Sequence, residues 1–237
     1  MIEFKEIPKT AMVIFAHPDD AEIGTGATIA KWVQNGTEVV YVLATTGSSG
    51  SNDLEMTSKK IVKIRAKEQI EAANTIGVTQ IETLDYLDGE LESSRSLLAD
   101  LVLNIRKHRP EIVFTHDPFR MNSFLHRDHR NLGFSVMDAI YPYARDHLHF
   151  PDQINRNIKP HKVKKLLFWG SDNPNISVNV SSFENKKVSA LSKHESQLPG
   201  LSLGSEYGKN ILIRLKNSAK GFEFDYGESF RMIEARS

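Results

Sequence analysis

The chain of 237 residues contains no cysteine. Disulfides, thiolate metal sites and a cysteine nucleophile are therefore excluded, and any metal must sit on His, Asp, Glu or water. It also lacks net charge: Lys+Arg and Asp+Glu are both 30. That balance gives no overall pull toward nucleic acid or an anionic membrane, so neither partner is expected. No segment approaches the ~18 consecutive apolar residues that read as a membrane span. The opening stretch Met1–Ile7 has no long apolar core of the kind a secretory signal carries, so the expectation is a soluble, cytoplasmic protein. Repeats, low-complexity tracts and linker-like stretches are missing too, which favours one domain over residues 1–237.

What is present is an alternation of strand and helix signals. Met12–Ala16, Thr37–Ala44, Gln80–Leu84 and Glu111–Thr115 are short runs rich in apolar and β-branched residues and read as strands. Between and after them, Ile23–Gln34, Ser58–Ile76, Ser93–Lys107 and His129–Tyr141 read as helices, with Asn35-Gly36, Gly77, Pro110 and Pro142 as stops. In the second helix Ile61, Ile64, Ala66, Ile70, Ala73 and Ile76 offer an apolar stripe. The pattern predicts an α/β fold: a mostly parallel sheet flanked by helices on both faces. Further on, Asp146–His161 reads as a long Pro- and Asn-containing loop, a candidate lid that would help set specificity. Lys164–Gly170 reads as a strand, Ile176–Val180 as an added strand that could pair antiparallel, Phe183–Gln197 and Ser205–Ala219 as helices; Phe222–Ile233 is ambiguous.

Two polar clusters stand out because each follows a predicted strand of the same parallel sheet, and so falls on the same edge. The first is Ala16-His17-Pro18-Asp19-Asp20; the second is His126-Arg127-Asp128-His129. Ligands bind in the crevice beyond the carboxyl ends of such strands. A catalytic zinc takes three protein ligands and keeps a position open, and His17, Asp20 and His129 supply a His/Asp/His set. The same donors suit ferrous iron. Asp19, held beside the metal by the turn that places His17 and Asp20, is the natural general base. His126, three residues before His129, is placed to stabilise an oxyanion or donate to a leaving amine; Asp128 can hydrogen-bond an imidazole and fix its tautomer.

Each cluster also has a plainer reading. Asp19 with Glu22 resembles a capping box, His126–Arg130 alone is a polar helix start, and His116-Asp117-Pro118 alone is a strand-to-loop turn. Gly24-Thr25-Gly26 is a poor dinucleotide fingerprint, because the glycines come after the helix should start.

Taken together, these residues resemble the LmbE-like, or PIG-L, zinc-dependent de-N-acetylases. Ala16–Gly24 looks like the N-terminal signature of that family. Arg65-Ala66-Lys67-Glu68 with Ala72 and Ile76-Gly77, Leu87–Leu91, Pro110–Pro118, His126–Arg130 and His194-Glu195-Ser196-Gln197 are similar to its later motifs. The resemblance implies a Rossmann-like sheet without nucleotide binding, with an added C-terminal strand and helices. It implies zinc on His17, Asp20 and His129, Asp19 as base, His126 as oxyanion or acid residue, and Asp128 orienting His126. Arg65 and Asp88 match positions that face the polar substrate. The implied reaction is hydrolysis of the acetamide of an N-acetylglucosamine-like sugar; homo-oligomers are frequent in the family. Arg127 stands where proline is common, and Ser48 where an acidic residue is. Two other readings compete: a zinc hydrolase of another amide or ester, and a non-catalytic sugar- or nucleotide-binding domain.

Overall fold

A computed structural model describes residues 1–235. Its strands are β1 (Ile2–Glu3), β2 (Thr10–Phe15), β3 (Glu38–Thr45), β4 (Gln80–Tyr86), β5 (Ile112–His116), β6 (Lys165–Trp169), β7 (Ile176–Asn179) and β8 (Gly227–Glu234). They form one sheet in the order β1-β7-β8-β6-β5-β2-β3-β4. From β6 to β4 every pairing is parallel, with Met12 opposite Val40 on one side and Val113 on the other. β8 runs antiparallel to both β6 and β7, while β7 is parallel to β1. The ambiguous segment 222–233 thus holds the strand that makes the sheet mixed. The added strand at 176–180 is antiparallel only with respect to β8.

The helices are α1 (Asp20–Gln34), α2 (Ser58–Ile76), α3 (Arg95–His108), α4 (Arg127–Ile140), α5 (Pro151–Asn155), α6 (Glu184–Leu191) and α7 (Glu206–Ser218). The expected helix over 183–197 stops at Leu191, and the next residues turn, carrying His194 into the interior. Successive strand residues point to opposite faces, so β2 feeds two cores. Val13 and Phe15 pack with Ile29 and Trp32 of α1, Ala72 and Ile76 of α2, Leu191 of α6 and Leu215 of α7. Met12 and Ile14 pack with Leu101 and Ile105 of α3 and Leu132 and Val136 of α4. Both faces are covered, which is why β2 is an unbroken apolar run rather than an alternating one.

Two expectations fail for the same reason: buried cations. The inward face of α2 is not the apolar stripe expected. Ile70 and Ala66 are exposed, whereas Arg65 and Gln69 are buried with Ile61, Ala72, Ala73 and Ile76. The segment 146–161 contains α5 and is not a lid over the strand ends. Arg106, 2% exposed, ties it down by donating to the carbonyls of Tyr143, Ala144, Asp146 and His149 and to Gln153 Oε1. His161 bonds the Pro110 carbonyl just before β5, so this segment lies at the opposite edge of the sheet from the two His/Asp clusters.

A third buried cation braces α1. Lys187 of α6 pairs with Glu228 of β8 and also donates to the Ile23 carbonyl at 2.7 Å. Glu228 in turn accepts from the backbone N–H groups of Ala27 and Thr28. At Gly24 a Cβ would fall 2.5 Å from the indole of Trp169, so only glycine lets β6 and α1 approach this closely.

Candidate metal centre

The chain enters β3 from α1 on one side of β2, while β5 lies on the other side, so the crevice beyond β2 is a topological switch point. The Ala16–Asp20 turn is pinned there from both neighbours. The Ala16 carbonyl accepts from the N–H and hydroxyl of Thr45 at the end of β3, and its N–H donates to His116 Nε2 at the end of β5. The His17 N–H donates to Asp20 Oδ2 at 2.8 Å. No capping box forms: the Asp19 side chain makes no cap bond, and Glu22 is buried elsewhere. Asp19 instead adopts φ 110°, ψ −30°, a conformation that costs a non-glycine residue roughly 1–3 kcal/mol.

The turn brings His17, Asp20 and His129 together. His17 Nδ1 is 3.1 Å from His129 Nε2 and 3.3 Å from Asp20 Oδ2, and the last two are 3.2 Å apart. Three ligands at 2.0–2.1 Å on a tetrahedral ion stand about 3.3–3.4 Å from one another. The donors present therefore fit a small divalent ion with one face open, in number, type and spacing. His17 is oriented for this from behind: its Nε2 lies 3.1 Å from both Asp128 Oδ2 and Asp88 Oδ1, leaving Nδ1 toward the other two donors. Burial works against a charge on His17, but the hydrogen bonds to Asp128, Asp20 and Asp88 outweigh it and raise its pKa to about 11. Burial would raise the pKa of Asp20, but His129 and His116 hold it well below the usual carboxylate range. The site is built to hold positive charge.

Asp19 is shifted the other way. Burial and the charge of Asp20 push its pKa well up, against the pull of Arg65 and His17. His126 is the N-cap of α4, and its Nδ1 accepts the Asp128 N–H at 3.1 Å. Its proton is then on Nε2, away from the helix. Burial and the charges of His17 and His129 keep it below the ordinary histidine value, hence neutral. Its ring packs edge-on at 4.6 Å from that of His17.

One expected partner changes. The carboxylate of Asp128 does not orient His126; it accepts from the Gly89 and Leu91 N–H groups and holds His17. Arg65 and Asp88 pair with each other at 3.4 Å beside the turn. Arg65, 4% exposed, donates to the Pro18, Gly47 and Ser49 carbonyls and to Asp88, and Asp88 spends its other oxygen on His17. These contacts brace the turn and the loop after β3.

His116, read from the sequence only as part of a strand-to-loop turn, belongs to the site: it ends β5 just as His17 follows β2. Its ring stacks on His129 at 3.8 Å, and burial lowers its pKa to about 4. A cavity of about 410 Å³ opens from Asp20, His116 and His129 toward Trp169, Arg120 and Tyr207. No helix among the described residues is long and apolar enough to cross a membrane.

Diacetylchitobiose deacetylase of Thermococcus kodakarensis is 36% identical over 191 residues, covering 81% of this chain and 71% of that one. Mycothiol S-conjugate amidase of Streptomyces coelicolor is 31% identical over 50% of this chain and 47% of its own. Among solved structures, N,N'-diacetylchitobiose deacetylase from Pyrococcus horikoshii superposes with a TM-score of 0.88 at 30% identity, covering 95% of this chain and 84% of that one. The family model described as PIG-L, GlcNAc-PI de-N-acetylase, matches residues 12–140, a span that begins in β2 and ends with α4 and includes every residue of the candidate centre. The chain belongs to the PIG-L family, and its sheet is the α/β fold of these deacetylases.

Proposed function

We propose that this protein is a metal-dependent N-deacetylase that hydrolyses the acetamide of an N-acetylglucosamine-type sugar, with zinc on His17, Asp20 and His129. The observation that carries the reading is the 3.1–3.3 Å triangle of those three donors, with Asp19 and His126 beside it. Relatives named as a diacetylchitobiose deacetylase and a mycothiol S-conjugate amidase support amide hydrolysis on amino-sugar compounds.

A zinc ion held there supplies Lewis acidity and an acidified water at neutral pH. The protein supplies the rest. Asp19, with its elevated pKa, takes the proton from the attacking water. Neutral His126 donates from Nε2 to the oxygen of the acetyl group as negative charge develops on it. Asp19 then returns its proton to the leaving nitrogen, and the C–N bond breaks to give acetate and the amine. Asp128 and Asp88 keep His17 in the one tautomer that presents Nδ1. The cavity running to Trp169 and Tyr207 offers aromatic faces to the rest of the sugar.

The test is acetate release from N,N'-diacetylchitobiose and from N-acetylglucosamine, before and after chelation, with zinc and ferrous iron added back. Release that chelation abolishes and zinc restores is the expected result. Metal-loaded protein that frees acetate from neither sugar would overturn the substrate assignment.

A further inference from the structure

Behind Asp19 lies a chain of fully buried polar groups that the proposed chemistry does not use. Gln69 of α2 is 1% exposed, and Glu22 and His194 are 0% exposed. Gln69 Oε1 accepts the backbone N–H of Asp19 at 3.0 Å. Gln69 Nε2 donates to both oxygens of Glu22, at 3.1 and 3.2 Å. Glu22 Oε2 is also 3.2 Å from His194 Nε2. His194 comes from the turn after α6, distant in sequence from the site.

This chain has only one consistent direction. A backbone N–H donates and never accepts. The Asp19 N–H therefore fixes the Gln69 amide with its oxygen toward residue 19. With its oxygen so committed, Gln69 presents its nitrogen to both oxygens of Glu22, whose Oε2 also meets His194 Nε2. The opposite amide orientation would set NH2 against the Asp19 N–H. Asp19 needs this hold, since its positive φ is one that a free turn would leave.

We infer that Gln69, Glu22 and His194 form a buried positioning relay that fixes the backbone of Asp19 and so aims its carboxyl at the water it deprotonates. The three are positioning residues, because none borders the reacting atoms. Glu22 is the hinge of the relay: it converts the placement of the turn after α6 into the orientation of an amide on α2. The inference rests on Asp19 being the base, and its test is kept separable from that assignment.

Gln69→Met has nearly the same length but neither the amide oxygen nor the NH2 group, its sulfur being at best a weak acceptor. It is expected to lower kcat about 10- to 100-fold, the scale of a misplaced catalytic group, with KM within about twofold and metal content unchanged. Nitrogen-15 NMR hydrogen exchange should show the Asp19 amide losing protection. The His194 pair decides the matter even if Gln69→Met does not fold. His194→Gln restores an N–H near the old Nε2 and should keep kcat within about threefold, whereas His194→Leu should fall with Gln69→Met. The relay is refuted if Gln69→Met turns over within twofold of the parent although the Asp19 amide exchanges freely, or if His194→Gln and His194→Leu lose activity equally. A full rate in Asp19→Asn, with the relay untouched, would instead remove the base assignment.

Discussion

Asp19→Asn exchanges a charge for a neutral amide at nearly constant shape, and the structure says what else should change. Asn is among the residues that tolerate positive φ, and the bond from Gln69 goes to the backbone of residue 19, not its side chain. The turn should therefore survive, and with it the 3.1–3.3 Å triangle of His17, Asp20 and His129. Losing the charge removes repulsion with buried Asp20 and an attraction to Arg65 at 3.6 Å, so stability should move little. What disappears is the proton acceptor. A positioned general base contributes about 10²- to 10⁴-fold, or about 2.7–5.5 kcal/mol at about 1.36 kcal/mol per decade. Steady-state acetate release from N,N'-diacetylchitobiose, run beside metal analysis by mass spectrometry, reads both quantities. The expected outcome is a loss in that range with metal content equal to the parent's. A rate within tenfold of the parent at full metal content would refute Asp19 as the base; loss of the metal would refute the separation of base from ligand.

His129→Ala removes one corner of the triangle and should leave protein that loses its metal on dialysis while staying folded; retained metal would move the site elsewhere. Lys187→Met strands Glu228 in the interior and frees the Ile23 carbonyl. The expected cost is about 3–5 kcal/mol, a fall in Tm of roughly 10 °C for a chain this long; a change below about 1 kcal/mol would mean the pair behaves as an exposed one. In metal-free protein, His116 stays neutral down to about pH 4 because of its burial, and its Nε2 accepts the Ala16 N–H. The unfolded chain takes up that proton near 6.5, so the stability His116 contributes is complete above pH 6.5 and drains away between there and pH 4. Urea unfolding at pH 7 and pH 5 should show this loss, and His116→Asn should lessen it.

The strand ends and their His/Asp clusters were legible because apolar runs bounded by turn residues fix where a parallel strand stops, and both clusters sit at such stops. That logic gave the sheet, both helix-covered faces and the triad His17, Asp20 and His129 in space. It did not give partners. Asp128 is adjacent to His126 in the chain region but lies against His17 in the fold, since the loop after β4 offers the Gly89 and Leu91 N–H groups that turn its carboxylate inward. Periodicity also cannot distinguish an apolar stripe from a face where Arg65 and Gln69 are buried for the sake of the site. Arg106 looks like any basic residue in the last turn of a helix, yet its donors decide that the segment 146–161 is a brace at the far edge. β8 was unreadable because its Glu228 serves α1 from inside a strand, where composition predicts apolar residues.

The proposed chemistry needs a metal held by two imidazoles and one carboxylate. X-ray absorption on the protein loaded with one equivalent of zinc tests it most directly. The expected result is one tightly held ion per chain, with two imidazole nitrogens in its coordination sphere at about 2.0–2.1 Å, and loss of one imidazole or of the ion in His129→Ala. Zinc that stays outside the protein, or that binds without imidazole scattering, would contradict it.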